Sequence, residues 1–154
     1  MPLFGCAYPF HMSESQAASI TVQRRIEWSD TDGSGRWHNT AGFRLIEVAE
    51  TALLERLGIL EAVYDHLPRV RIDAAFLRPL DFRDLVDCSI SVVEVGRSSV
   101  TYGFSARRGE EVCMTATVTA VLLGAENKPS PWSSDHRNLL LGGGPQRPET
   151  LAVS

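Results

Sequence analysis

A polar segment between two apolar patterns concentrates the residue types that catalyse acyl transfer. Residues 28–39 have the sequence WSDTDGSGRWHN, with the carboxylates Asp30 and Asp32 two positions apart, directly before a helical pattern. A carboxylate can act as a nucleophile or as a general base. The unpaired N–H groups at a helix N-terminus can polarise a carbonyl oxygen. The segment therefore supplies the two components that hydrolysis of an ester or a thioester requires.

The same segment also has the composition of a turn. In runs such as Asp-Thr-Asp-Gly, Asp side chains commonly accept hydrogen bonds from the backbone two residues further on. From the residues alone, a catalytic loop and a purely structural turn both remain open.

Helical periodicity begins directly after this segment. Apolar residues recur every three or four positions, and charged residues fall on the opposite side. The apolar positions are Phe43, Ile46, Ala49, Leu53 and Leu57. The pattern predicts an amphipathic helix over about residues 40–57, capped by Asn39 or Thr40, with Gly58 at the C′ position.

The remaining apolar residues alternate with period 2, which is typical of β-strands with one buried face. One strand precedes the polar segment, with its apolar residues on one parity from Ile20 to Trp28. Four strands follow the helix, and their apolar sets begin at Val70, Val86, Val100 and Val112. Short polar breaks at 96–98 and 107–110 predict hairpins.

This order of elements predicts an α+β fold. One amphipathic helix buries its apolar stripe on one face of one sheet. We therefore expect a curved antiparallel sheet of five or more strands wrapped around one long central helix, in a single domain over residues 20–141. Residues 1–19 and the Gly- and Pro-rich residues 142–154 are predicted to form a flexible leader and a flexible tail.

Composition excludes several classes of function. The 154 residues include 15 Lys and Arg against 19 Asp and Glu, a net charge of −4, which argues against a nucleic-acid-binding domain. No segment approaches the roughly 20 apolar residues of a membrane span. Cys6, Cys88 and Cys113 have no CxxC spacing, and the histidines are scattered. We expect no metal and no cofactor, and the cysteine usage fits a reducing cytoplasm.

Asp30, Asp32, Gly35 and Asn39 follow the order Asp-x-Asp-x-x-Gly-x-x-x-Asn directly before the helix. With the surrounding residues 20–59, this motif resembles the first strand, catalytic loop and central helix of hotdog-fold acyl-CoA thioesterases, of the 4-hydroxybenzoyl-CoA thioesterase type. Later segments also resemble that family: AAFLRPLDFRDLVD its second-strand motif, GRSSVTYGFSAR its next hairpin, and more weakly KPSPWSSDHRNLL its C-terminal segment. The resemblance covers about residues 20–140.

The resemblance implies hydrolysis of an acyl-CoA thioester to a free acid and coenzyme A. Asp32 takes the place of the catalytic carboxylate, as nucleophile or as general base. The backbone N–H of Asn39 takes the place of the oxyanion donor, while its side chain either contributes or only caps the helix. Asp30 is expected to shape the loop, and Gly35 to turn it toward the helix.

The candidate substrate-binding residues are Gly35, Phe76 and Arg97, which lie in the segments that resemble the family, and Trp37 and His38, which lie beside Asn39 in the sequence. Arg97 is expected to contact the phosphates of coenzyme A, because the forked guanidinium suits phosphate; a plain surface arginine is the alternative. Packing within the loop is the alternative for His38, and a seam between subunits is the alternative for Trp37. Further candidate cations are Arg78 and the pair 107–108.

Two positions depart from the family pattern. Arg36 stands where many members have His, and Gly42 stands where they have Tyr. Both changes reshape the acyl pocket, so the acyl group stays open, as does the choice between coenzyme A and an acyl-carrier protein.

Two other functions compete with hydrolysis. A hotdog hydratase or dehydratase needs an Asp-x-Asn-Pro-x-His pattern, whereas here Asp32 and His38 are separated by a Gly-rich run. A non-catalytic acyl-CoA-binding protein is the other alternative. In another branch of the family the catalytic carboxylate is a helix Glu after His-Gly-Gly, a motif that this chain lacks. Glu47 and Glu50 are therefore assigned to a solvated or interface face of the helix.

The edges of a curved sheet leave backbone groups unpaired, and pairing two edges removes that liability. We therefore expect a homodimer or a homotetramer, and the resemblance implies active sites at the subunit interface.

Overall fold

The computed structural model describes residues 16–146. Its strands and helices, in chain order, are β1 (Ser19–Arg25), α1 (Asn39–Arg56), α2 (Leu60–Val63), β2 (Arg69–Phe76), β3 (Leu85–Val95), β4 (Ser99–Arg108), β5 (Glu111–Val121) and α3 (Ser134–Gly142). The leader and tail predictions fall largely on residues 1–15 and 147–154, outside the described residues. None of the helices between residues 16 and 146 has the length and apolar character of a membrane span.

The five strands form one sheet in the order β1-β3-β4-β5-β2, with every neighbouring pair antiparallel. Three residues connect β3 to β4, and two connect β4 to β5, where Gly109 has a φ of +61°. The predicted hairpins are thus confirmed. The strands β1 and β2 lie at the two edges of the sheet, and β2 ends at the functional loop described below.

Helix α1 packs on one face of this sheet and contacts β1 and β3. The apolar residues of α1 that are buried are Ala41, Leu45, Ile46, Ala49, Leu53 and Leu54. They share one hydrophobic core with sheet residues such as Val22, Ile90, Tyr102 and Phe104. The predicted α+β architecture of one central helix against an antiparallel sheet is confirmed. Phe43, which the pattern placed on the apolar stripe, is 42% exposed.

Two local predictions were wrong. The first strand ends at Arg25, and Trp28 lies in a 3-10 helix (Trp28–Asp30) with 71% of its surface exposed. The cap of α1 is His38, whose Nδ1 accepts a hydrogen bond from the Thr40 N–H at 3.1 Å. Gly58 follows the helix with a φ of +73°, as its predicted C′ position requires.

Candidate active site

The segment between β1 and α1 is a compact loop that lies against the connection from β2 to β3. Thr31 bridges to Trp37, and Arg36 bridges to Asp81. The Trp37 N–H donates to the Leu80 carbonyl at 2.8 Å. The loop is therefore held at the end of β2, so that it and the last residue of that strand can form one site.

Asp30 connects this loop to the helix. It is only 4% exposed. One carboxylate oxygen accepts the Glu27 N–H at 2.8 Å, the other accepts Nη2 of Arg44 in α1 at 2.7 Å, and the Asp30 carbonyl accepts the His38 N–H at 2.7 Å. A buried carboxylate with this many partners holds the shape of the loop, in agreement with the role predicted for Asp30.

Asp32 has the opposite surroundings. Its side chain is exposed, and Oδ1 accepts both the Ser34 N–H at 2.8 Å and the Ser34 hydroxyl. The two hydrogen bonds from Ser34 lower the pKa of Asp32 below its ordinary value. The residue thus makes the turn that composition suggested, and it also presents an ionised carboxylate to water at neutral pH. Nothing in the sequence analysis singled out Ser34, although its position two residues after an Asp is typical of this turn.

The N-terminus of α1 begins beside this turn, at Asn39. The first N–H groups of a helix have no intrahelical acceptor and carry partial positive charge. Nδ1 of His38 accepts a hydrogen bond from the Thr40 N–H, and the His38 carbonyl accepts one from the Ala41 N–H. Neither contact uses the N–H of Asn39, the first residue of the helix, while His38 serves the helix cap.

An open groove of about 290 Å³ connects these parts. It is lined by Ser34, Arg36, Trp37, Asn39, Phe76, Leu77, Arg78 and Pro79. The rings of Trp37 and Phe76 pack edge to face at 5.5 Å and give the groove an apolar wall. Ser34 lines the groove and donates hydrogen bonds to Asp32, and Arg36 and Arg78 give the groove positive charge. Three of the predicted site residues, Trp37, Asn39 and Phe76, thus line one groove, and Asp32 adjoins it through its hydrogen bonds with Ser34.

Arg97 is not brought to this groove within one protomer. Arg97 lies in the β3–β4 connection, at the end of the sheet where Arg69 pairs with Ala120. Phe76, at the groove, pairs with Met114 toward the other end. Six residues along β5 separate these two pairings, about 20 Å at a strand rise of ~3.3 Å per residue. Arg36 and Arg78 are the cations at the groove.

A second polar cluster is buried between α1 and the sheet. Glu50 is 4% exposed, and its Oε1 accepts Nη2 of Arg69 at 3.0 Å. Among the described residues, Glu50 Oε2, Arg69 Nε and the Tyr102 hydroxyl have no hydrogen-bond partner. Burial raises the pKa of Glu50, and burial followed by the Glu50 charge raises the pKa of Tyr102.

This cluster corrects the assignment of Glu50 to a solvated or interface face. Glu47 does lie on the exposed side and reaches Arg69 at 3.7 Å, but Glu50 is in the core. The sequence held a signal for this, because Glu50 lies four residues after Ile46 and three before Leu53, on the apolar stripe itself.

A sequence profile identifies the family of this chain. The sequence profile of the thioesterase superfamily matches residues 34–115. No curated protein matches the chain. Several solved structures share the hotdog fold of this chain.

A 1,4-dihydroxy-2-naphthoyl-CoA thioesterase from Synechocystis is 17% identical, with a TM-score of 0.71 over 79% of this chain and 95% of its own. A gentisyl-coenzyme A thioesterase is 21% identical, with a TM-score of 0.70 over 76% and 98%. A thioesterase from Thermus thermophilus, complexed with coenzyme A and Zn, is 23% identical, with a TM-score of 0.69 over 81% and 96%. At these identities the likeness is one of fold.

Proposed function

Because this chain belongs to the thioesterase superfamily and is a thioester hydrolase, we propose that it hydrolyses an acyl or aryl thioester of coenzyme A. The products are the free acid and coenzyme A. One observation carries the proposal: an exposed, ionised Asp32 adjoins a groove that also contains the N-terminus of α1 and two arginines. The structural neighbours that act on naphthoyl- and gentisyl-CoA support an aryl substrate.

Asp32 acts on the thioester carbonyl in one of two ways. As a nucleophile, its carboxylate adds to the carbonyl carbon and the C–S bond breaks, which leaves a mixed anhydride that water then hydrolyses. As a general base, it takes a proton from the water that attacks the same carbon. In both routes the thiolate of coenzyme A leaves and takes up a proton. The lowered pKa of Asp32 supports both, because the carboxylate is ionised before the substrate arrives.

The N–H of Asn39 stabilises the oxyanion that forms on the carbonyl oxygen. The N-terminus of an 18-residue helix contributes partial positive charge at that point. The charge on the oxygen is larger in the transition state than in the substrate, so this contact lowers the barrier more than it raises affinity.

Arg36 and Arg78 bind the phosphates of coenzyme A at the mouth of the groove. Both are exposed, and the ion pair of Arg36 with Asp81 is long, at 4.0 Å. Arg97 contributes only from another protomer, because it lies at the far end of the sheet in its own. We expect Arg36→Ala and Arg78→Ala each to raise KM about fivefold, more at low salt than at high salt, with kcat nearly unchanged. Steady-state kinetics at several ionic strengths check this, and Arg97→Ala reports whether a second protomer takes part.

The protein assembles as a homodimer or homotetramer through β2. Within residues 16–146 this edge strand pairs only with β5, its residues are mostly exposed, and Val70 is 60% exposed. An unpaired edge of this kind is suited to pairing with the same edge of a second copy. Because Phe76 ends the same strand, pairing there would place two grooves next to the interface. Light scattering at micromolar concentration that gave only monomers would contradict the assembly.

The activity is tested by a screen for thiol release over aryl-, short-chain and long-chain acyl-CoAs, with the matching acyl-carrier-protein thioesters in parallel. We expect turnover of at least one acyl-CoA. Acyl-CoA binding without turnover would instead indicate a non-catalytic binding protein, and hydration of enoyl-CoA would indicate a hydratase.

A further inference from the structure

An unusually close contact between a helix and two strands lies beside Phe76, one of the residues that line the groove. Gly42 lies in the first turn of α1 and is buried. A Cβ built on Gly42 would lie 2.7 Å from Sδ of Met114 and 2.9 Å from Cε1 of Phe76. No side chain other than hydrogen fits at residue 42 while Phe76 and Met114 stay in place.

Phe76 and Met114 support each other in this position. They face each other across the β2–β5 ladder as direct partners. Met114 is fully buried, and Phe76 is partly buried, with its ring against Trp37 on the groove side. The Phe76 ring is therefore backed by Met114, packed on the Gly42 backbone and flanked by Trp37, so it can retreat only if the flexible end of Met114 also shifts.

From these contacts we infer that Phe76, seated on Gly42 and Met114, sets an upper limit on the acyl group and selects short-chain or single-ring acyl thioesters. This inference rests on the proposed function, which places the thioester carbonyl at Asn39 and the phosphates at Arg36 and Arg78. The acyl group then lies against the remaining, apolar wall of the groove. A volume of about 290 Å³ lies just below the range of about 300–1,000 Å³ for small-molecule sites.

The test compares kcat/KM for benzoyl-, butyryl- and decanoyl-CoA in the wild type and three variants. Phe76→Ala is expected to raise the ratio of kcat/KM for decanoyl-CoA to that for butyryl-CoA about tenfold or more, because removal of the ring leaves space for a few more methylene groups of the acyl chain. Phe76→Leu, a milder truncation, is expected to move the ratio in the same direction by less. Gly42→Ala is expected to move it the other way and to lower benzoyl-CoA turnover, because the new methyl group displaces Sδ of Met114 and pushes the Phe76 ring toward the groove.

Phe82→Ala is the matched control. Phe82 is another aromatic residue, in the connection from β2 to β3, but its ring packs edge to face against Trp28 outside the groove. We expect its acyl-size profile to equal that of the wild type. Circular dichroism and light scattering establish that each variant is folded and assembled like the wild type. If Phe76→Ala does not fold, the test uses Phe76→Leu and Gly42→Ala, which are expected to change the decanoyl-to-butyryl ratio of kcat/KM in opposite directions.

Binding of non-hydrolysable acyl-CoA thioethers, measured in parallel by calorimetry, separates this inference from the proposed function. If the wild type hydrolyses nothing but thioether affinity shows the same size ranking and the same shifts, the proposed function fails and the size limit stands. If the wild type turns over decanoyl- and butyryl-CoA equally well, or folded Phe76 variants keep its ratio, the size limit is overturned while the activity stands. If neither hydrolysis nor thioether binding occurs, both fail.

Discussion

Two carboxylates of this protein, Asp32 and Glu50, have opposite surroundings. Asp32 lies in the loop before α1, exposed to water, and two hydrogen bonds from Ser34 lower its pKa. Glu50 lies in the middle of α1, inside the core, where burial raises its pKa although Arg69 contacts it at 3.0 Å. One charge is stabilised where water can reach it, and the other is held where water is excluded.

The difference accords with the chemical role proposed for Asp32 and with a structural role for Glu50. Thioester hydrolysis consumes water, so its carboxylate must be ionised and accessible, as Asp32 is. Glu50 instead forms an ion pair that joins the central helix to the edge strand β2 through Arg69. A buried pair of this kind adds little net stability when complete, and it costs much when one partner is lost. The following predictions test the two halves of this comparison.

The largest effect is expected for Asp32→Asn. Turnover should fall about 10²-fold or more, because the variant keeps the shape but loses the base or nucleophile. Affinity should change far less, since the phosphates bind elsewhere. Thiol release under saturating substrate measures the loss, with Asp135→Asn, an exposed carboxylate of α3, as control. Full activity of Asp32→Asn would remove the mechanism, and Glu47 and Glu50 would be the next carboxylates to test.

Removing one partner of the buried pair should affect stability rather than chemistry. We expect Arg69→Met to lower the free energy of unfolding by about 3 kcal/mol, because it leaves the Glu50 charge unpaired in the core. The double variant Arg69→Met/Glu50→Met should recover most of this loss, since it replaces the pair with apolar side chains. Urea denaturation of all four proteins completes the double-mutant cycle. Additive losses in the double variant would contradict the pairing.

Asp30→Asn should have an intermediate effect. The amide keeps one acceptor but weakens the contacts to Arg44 and to the Glu27 N–H, at a cost of about 1–2 kcal/mol in unfolding free energy. Turnover should fall by less than tenfold, through the geometry of the loop. Thermal unfolding and thiol release on the same samples check both values. Equal losses of turnover for Asp30→Asn and Asp32→Asn would mean that the whole loop is structural.

The smallest effect is the dependence of stability on pH. Since the folded-state pKa of Glu50 is raised, the folded protein binds more protons than the unfolded one above the ordinary value of 4.5. Its contribution to stability therefore falls as the pH rises through this window. The pKa of Asp32 is lowered from 3.8, so its contribution has the opposite sign and is lost as the pH falls below that value. Urea denaturation from pH 3 to 7 should show that Glu50→Gln removes the first dependence and Asp32→Asn the second.

Most of the fold was predictable because it depends on local periodicity. The change of apolar period from 2 to 3.6 and back located β1, α1 and the four later strands, and Gly58 marked the end of the helix. Trp28 was misplaced because its parity continued a strand that the chain had already left. His38 was missed as the cap because Asn39 and Thr40, the next two residues, are also common capping residues. Which of the three caps the helix depends on where the backbone becomes helical, and the helix begins at Asn39.

The sequence by itself determined the α+β order, the position of Asp32 before a helix N-terminus, and the short hairpins, because each depends on residues close together in the chain. Only the tertiary structure decided what depends on distant residues. In the tertiary structure Glu50 is buried against Arg69, and Phe76 packs against Gly42 and Met114. Arg97 lies at the end of the sheet that is far from the groove. These outcomes follow from strand register and from the packing of α1 on the sheet, because both join residues that are tens of positions apart.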